Sequence, residues 1–303
     1  MKIRIGYGLG TQGLAGAPKE LAARYGRFVD DLERLRYDSV WFSERLTGEA
    51  PDPVVAMAHA AGRTTKLKFG MSVMVLPGRS PALVAKEIAS LDVLSGGRIL
   101  PAFGLGVADP REHAAFSVAK EDRAPMFNES LALIRRFWTG EPVTHEGRFF
   151  RYDGVAVRPV PVQTPPDVWL GGIAPSELRR VGRVADGWLP SFVTPAEAAA
   201  AAVTVREAAS EAGREIDPEH FGALIAYSSG RPLGGPLLER LRARRKGGDP
   251  AEVVPVGLDA VQAAIEGFAR VGFSKFVLIP IVDPGDLTAE LEAVAEAVLP
   301  MTT

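Results

Sequence analysis

LKFGMSVMVLPGRSPALVAKEIASLDVLSGGRILPAFGLG, residues 67–106, contains one complete strand–helix–strand passage. An apolar run from Leu67 to Val75 ends in a proline turn, and Ser80-Pro81 then offers a cap followed by proline at the first helical position. Gly96-Gly97 stops the helix after Leu94, and a second apolar run follows from Arg98 to Phe103. Short apolar runs joined by a helix-length amphipathic segment are the pattern of a parallel α/β protein. Ser72 interrupts the first run. Taken alone, it is a small buried hydroxyl that needs one hydrogen-bond partner.

The same alternation extends in both directions. Strand-like runs recur at Lys2–Gly8, Ser39–Ser43, Val168–Gly171, Gly187–Pro190, Phe221–Tyr227 and Phe273–Pro280, and Thr194-Pro195-Ala196-Glu197 opens a helix with a capping box. Eight strands interleaved with helices over 303 residues fit an α/β fold of the (β/α)8 TIM-barrel type. An open doubly wound sheet, with about five to seven strands, fits less well. Residues 1–303 read as one domain with insertions near 140–166 and 228–257. The first insertion, rich in Gly, Pro and aromatic residues, looks like a hairpin excursion. The second carries a basic run of Arg240, Arg242, Arg244, Arg245 and Lys246, which reads as a solvated helix face or as a seat for an acidic tail.

Composition removes whole classes of function. A formal net charge of -2 and a sequence pI of 6.2 leave no electrostatic footprint for nucleic acid or an anionic membrane. The absence of cysteine excludes a disulfide scaffold, thiolate metal ligands and a cysteine nucleophile. With no apolar signal core and no long uncharged run, a cytoplasmic protein is expected. The four histidines, His59, His113, His145 and His220, show no metal-ligand spacing, so no metal is expected. Neither a nucleophile elbow nor a Walker A loop occurs, and the strand ends lack the paired carboxylates of a glycosidase. A bound cofactor is therefore expected to carry the chemistry.

Three stretches carry candidate contacts. Gly104 and Gly106 follow directly on a strand, where glycine lets backbone approach a ligand, although a plain tight turn needs the same residues. Asp109 stands where a dinucleotide fingerprint would place its third glycine. Gly171-Gly172 feeds a helix that opens with Pro175, Ser176 and Glu177, a ready phosphate site or an ordinary capped helix. Ser43, Glu44 and Arg45 emerge from a strand end as substrate or cofactor contacts, or as a surface ion pair.

With these residues in view, the chain resembles the luciferase-like monooxygenase superfamily in its branch dependent on the deazaflavin coenzyme F420. YDSVWFSERL (37–46), the block 67–106, RRFWTGEPVTHEGRFFRY (135–152) and VWLGGIAPSELRRVGRVADGWLP (168–190) carry the resemblance in order. It implies a bacterial luciferase-like barrel, usually a homodimer, with the cofactor at the C-terminal ends of the strands. It places a non-prolyl cis peptide at Ser72-Val73 behind the cofactor ring, Gly104, Gly106 and Val107 beside the ring, and Gly171, Gly172 and Ser176 at the phosphate. Glu112 falls on a recurrent family position. The resemblance implies hydride transfer between F420 and a small organic substrate. An FMN-dependent monooxygenase supplied by a partner reductase and a non-catalytic flavin-binding barrel are the alternatives. One departure stands out: Glu44-Arg45 replaces the acidic residue and histidine usual at that strand end. Arginine stays protonated, so Glu44 is the expected proton donor, with His113 and Glu112 in reserve, and Arg45 is free to bind an anionic group.

Overall fold

The computed structural model describes residues 2–244 and 249–302, so Arg245 and Lys246 of the basic run lie outside the described residues. The strands, in chain order, are β1 (Arg4–Gly8), β2 (Ser39–Phe42), β3 (Lys68–Met71), β4 (Met74–Val75), β5 (Ile99–Leu100), β6 (Ala102–Gly104), β7 (Val143–Glu146), β8 (Arg151–Val155), β9 (Trp169–Leu170), β10 (Gly187–Trp188), β11 (Gly222–Tyr227) and β12 (Lys275–Pro280). The α-helices are α1 (Pro18–Arg34), α2 (Pro53–Ala61), α3 (Pro81–Ser95), α4 (Pro110–Ala115), α5 (Arg123–Trp138), α6 (Pro175–Val184), α7 (Pro195–Glu211), α8 (Gly235–Arg244), α9 (Leu258–Arg270) and α10 (Leu287–Val298). Proline opens α1, α2, α3, α4, α6 and α7, where its fixed φ suits the helix and its missing N–H is no loss.

The chain forms two compact units interleaved in sequence: Met1–Gly10, Arg27–Trp41 and Trp169–Thr303 make the first, Thr11–Gly26 and Phe42–Val168 the second. In the first unit β11, β12, β1 and β2 pair in parallel, with Gly222 and Arg4 both opposite Lys275, and Gly6 opposite Ser39. β9 and β10 pair in parallel beside them in sequence, with Trp169 opposite Gly187. Ile5, Val40, Trp41, Phe276, Val277 and Leu278 are fully buried, as a strand covered on both faces requires. The capping box at Thr194 forms as expected: Thr194 Oγ1 accepts from Glu197 N at 3.2 Å and Glu197 Oε2 accepts from Thr194 N at 2.7 Å.

In the second unit β3 pairs with β5, and β4 with β6, all in parallel. Each of the continuous runs expected at 67–75 and 98–103 is thus split in two. The second splits at Pro101, which has no N–H to give the ladder. The first splits at Ser72-Val73, whose peptide bond is cis, as the resemblance implies. Gly96 ends α3 in the left-handed conformation at φ 68°, as its sequence predicts. Ser80 holds the N-cap position, but its hydroxyl makes no capping bond. The expected hairpin is present: β7 and β8 are antiparallel, with an irregularity between Val143 and His145. Its turn is gathered by the Glu129 carboxylate of α5, which accepts from Phe150 N at 3.0 Å and Phe149 N at 3.2 Å and pairs with His145 Nε2 at 3.0 Å. Among the described residues, no helix is long and apolar enough to cross a membrane.

Candidate functional site

The second unit brings Ser43, Glu44, Arg45, Ser72, Val73, Gly104, Gly106, Val107, Glu112 and His113 into one connected arrangement. Ser72 finds its partner in Ser43, hydroxyl to hydroxyl at 3.0 Å, and Ser72 N donates to Phe42 O at 2.8 Å. Glu44 brackets the cis bond. Its N–H donates to Val73 O at 3.3 Å, while its carboxylate accepts from Val75 N at 2.6 Å and from the Arg79 guanidinium. Arg79 is held in turn by Val75 O at 3.0 Å and stands over the Phe116 ring. Burial pushes the Glu44 carboxyl above the ordinary glutamate value, and the Arg79 charge and the Val75 amide oppose that rise without cancelling it.

Arg45 and Glu112 tie the end of β2 to α4. Arg45 Nη2 donates to Asp109 Oδ2 at 3.0 Å, and its Nε donates to Thr47 Oγ1 at 3.2 Å. Asp109 also caps α4 by accepting from Arg111 N at 2.9 Å. Glu112 accepts from Leu46 N at 3.1 Å, Thr47 N at 2.9 Å and Thr47 Oγ1 at 2.6 Å. Burial works against its charge, yet these donors and Arg45 together hold its pKa below the ordinary value. His113 Nε2 lies 3.1 Å from Val107 O, and Val107 itself is exposed.

The turn after β6 is bare backbone. A Cβ on Gly104 would collide with the Val73 side chain, so glycine there lets the cis segment pack directly against the turn. Gly106 has φ 79°, and a Cβ on it would lie 2.6 Å from Arg123 Nη2 and 3.0 Å from Val75 Cγ2. Arg123 is 5% exposed, and neither its Nη1 nor its Nη2 has a hydrogen-bond partner. Burial pushes its pKa down, opposed by the charge of Glu112.

In the first unit Gly171 and Gly172 lead from β9 towards α6, whose second residue is Ser176. Gly172 has φ 97°, and a Cβ there would lie 2.6 Å from Glu177 Oε2. That oxygen accepts from Ile173 N at 3.0 Å and Ala174 N at 2.9 Å, so Glu177 already supplies the negative charge that these two amides attract. The same unit holds a buried polar string: Tyr227 OH donates to Glu290 Oε1 at 2.7 Å and lies 3.0 Å from Tyr7 OH. Burial pushes both phenols far above their ordinary pKa.

Sequence reasoning did not find Arg79, Thr47, Asp109 as a ligand of Arg45, or Arg123. Asp109-Pro110 is a legible cap followed by proline at the first helical position. Nothing in the periodicity marks Arg79 or Arg123, because the Arg79–Glu44 pair and the burial of Arg123 are set by chain segments distant in sequence.

Residues 3–231 match the family model described as luciferase-like monooxygenase, and the chain belongs to that family. It is 34% identical over 206 residues to a phthiodiolone/phenolphthiodiolone dimycocerosates ketoreductase of Mycobacterium kansasii, covering 59% of this chain and 56% of the relative. It is 29% identical over 231 residues to an F420-dependent glucose-6-phosphate dehydrogenase of Nakamurella multipartita, covering 71% of this chain and 64% of the relative. The matched region thus spans 56% and 64% of the length of these two curated relatives. A solved F420-dependent secondary alcohol dehydrogenase in complex with an F420-acetone adduct superposes with a TM-score of 0.82 at 20% identity, covering 100% of both chains. This likeness shows the fold to be the luciferase-like TIM barrel.

Proposed function

We propose that the protein is an oxidoreductase that binds coenzyme F420 and transfers hydride between it and a small organic substrate. The observation that carries this reading is the bare-backbone cradle of the second unit. There the Val73 side chain packs directly on Gly104, Gly106 turns at φ 79° against Val75 and Arg123, and the Arg123 Nη1 and Nη2 have no hydrogen-bond partner among the described residues. A flat cofactor with an anionic tail fits those features, because a ring needs close backbone and an anion needs an unpaired donor. Ser72, Val73, Gly104, Gly106 and Val107 would hold the ring. The coenzyme, when bound, supplies the hydride chemistry.

The chain supplies position and proton. Both Glu44 oxygens are engaged, one by Val75 N and the other by Arg79, so Glu44 acts as the positioning residue that fixes the cis segment. Glu112 is committed to Leu46 and Thr47 and locks α4 in place. His113 Nε2 lies 3.1 Å from Val107 O. An imidazolium donates from both nitrogens, which makes His113 the preferred proton donor on the turn beside Gly106. Arg45, paired with Asp109 at the end of β2, is a candidate contact for a polar end of the substrate.

The family's monooxygenase description supports FMN as the second reading. Titrating the purified protein with F420 and with FMN separately, by absorbance and fluorescence, tests the choice. Binding of F420 with a clear preference over FMN is expected. Tight FMN binding with none of F420 selects the monooxygenase, and failure to bind either removes both. His113→Gln is expected to lower kcat about 10²- to 10⁴-fold and to flatten its pH profile with cofactor affinity unchanged. An unaltered kcat would return the proton donor to another group.

A further inference from the structure

Val75 gives both of its backbone groups to side chains. β4 pairs with β6 along one edge, where Leu76 N donates to Gly104 O at 3.1 Å. Ladder bonds use alternate residues, so the N–H and C=O of Val75 face the opposite edge. There the N–H donates to Glu44 Oε2 at 2.6 Å, and the carbonyl accepts from Arg79 Nε at 3.0 Å. Arg79 Nη2 donates in turn to Glu44 Oε1, which closes a ring of three residues. A carboxylate and a guanidinium thus stand in for a neighbouring strand and satisfy a donor and an acceptor on a buried residue. The Glu44 side chain is 3% exposed and that of Arg79 24%, so water does little to screen the pair. The ring needs the fork of arginine, because Nε and Nη2 serve two different acceptors at a fixed spacing. Arg79 is braced further by the Phe116 ring, whose centroid lies 5.9 Å from its guanidinium carbon, and by Asp52 Oδ2 at 3.6 Å, on the residue that caps α2.

We infer that Arg79 is a positioning residue: through the Val75 carbonyl and the Glu44 carboxylate it holds the backbone of residues 73–75 against the Gly104 turn. Register carries the effect. Val75 lies opposite Gly104 in the β4–β6 ladder, and the Val73 side chain packs on Gly104, so a shift of Val75 moves the surface proposed to hold the cofactor ring. Only that last step rests on the proposed function. The clamp itself belongs to the chain with or without a ligand.

Two measurements test it. In the cofactor-free full chain, Arg79→Met should speed hydrogen exchange of the Val75 amide about 10- to 100-fold, since its charged acceptor is no longer held in place, while the amides of β12 exchange as before. Arg79→Lys, which keeps the charge without the fork, should fall between. In titrations with FMN and with F420, Arg79→Met and Arg79→Lys should weaken whichever cofactor the wild type binds, the former by about 10-fold or more. Arg98→Lys alters a structural arginine of the same unit, bonded to Ser95 O and Leu67 O at 2.8 Å, and should leave that affinity unchanged. Unchanged Val75 exchange overturns the clamp. Faster exchange with full cofactor affinity, or equal weakening by Arg98→Lys, overturns the positioning role. A wild type that binds neither cofactor removes the proposed function, and the exchange result then decides the clamp by itself. Should Arg79→Met fail to fold, Arg79→Lys decides on both readouts.

Discussion

Two glycine turns, one in each unit, are built alike and finished differently. Gly172 and Gly106 both hold a left-handed φ, and a Cβ on either would lie 2.6 Å from a charged side-chain atom. Behind Gly172 the charge is Glu177 Oε2, which two backbone amides satisfy. Behind Gly106 it is Arg123 Nη2, which nothing satisfies. The first turn is closed on its own terms, and the second faces a buried cation with no hydrogen-bond partner for its terminal nitrogens among the described residues. A glycine-rich strand end therefore packs against a satisfied carboxylate in one place and an unpartnered guanidinium in the other, and the polar atom behind the glycine tells them apart.

Substitution at the glycines probes the shared half of the comparison and has the largest effect. Gly106→Ala should cost about 2–4 kcal/mol, combining an unfavourable φ with pressure on both Arg123 and Val75. Gly172→Ala should cost less, because the Glu177 carboxylate is the end of a flexible side chain. Denaturant unfolding of the two variants checks the order, and a costlier Gly172→Ala would break the comparison at its root.

Next in size is Glu112→Gln, expected to cost about 1–3 kcal/mol at neutral pH. The folded Glu112 carboxyl titrates below its ordinary value. Its stability is therefore complete above the ordinary glutamate range and is lost as pH falls through the depressed folded value. Glu44 works in the opposite sense. Its folded pKa is raised, so its contribution is full at low pH and is lost as pH rises through that folded value. Stability profiles of Glu112→Gln and Glu44→Gln should change on opposite limbs, and a common limb would refute this assignment.

The smallest effect carries the sharpest contrast. Removing the satisfied charge, Glu177→Gln, should destabilise the cofactor-free protein by about 1 kcal/mol, as loss of a helix cap does. Removing the unsatisfied one, Arg123→Met, should stabilise it by about 1 kcal/mol or more, since a buried charge without a partner gives way to an apolar chain of similar length. Shifts of the same sign would mean that the two turns do not differ in kind.

Much of this was legible in the residues. The runs at 2–8, 39–43, 168–171, 187–190, 221–227 and 273–280 are strands because their apolar stretches are bounded by turn residues, and Thr194 and Gly96 mark helix ends that local chemistry alone decides. The breaks at Pro101 and Ser72 were hidden differently. Proline announces a missing donor, whereas no local signal turns the backbone at Ser72, and only the family resemblance placed a cis bond there. Glu44 read as a free acid because sequence shows a carboxylate at a strand end and cannot show Arg79 reaching it from beyond β4. Arg123 was silent for the same reason. It follows an ordinary acidic stretch, and its burial depends on how α5 meets the turn at Gly106.

The buried string in the first unit has a direction. Tyr227 donates its O–H hydrogen bond to Glu290, so its oxygen is left to accept, and the hydroxyl facing it on Tyr7 is the donor. The donor order Tyr7 to Tyr227 to Glu290 is thus dictated by the accepting carboxylate oxygen at one end. A single acid on α10 thus sets the polarity of three side chains on separate elements.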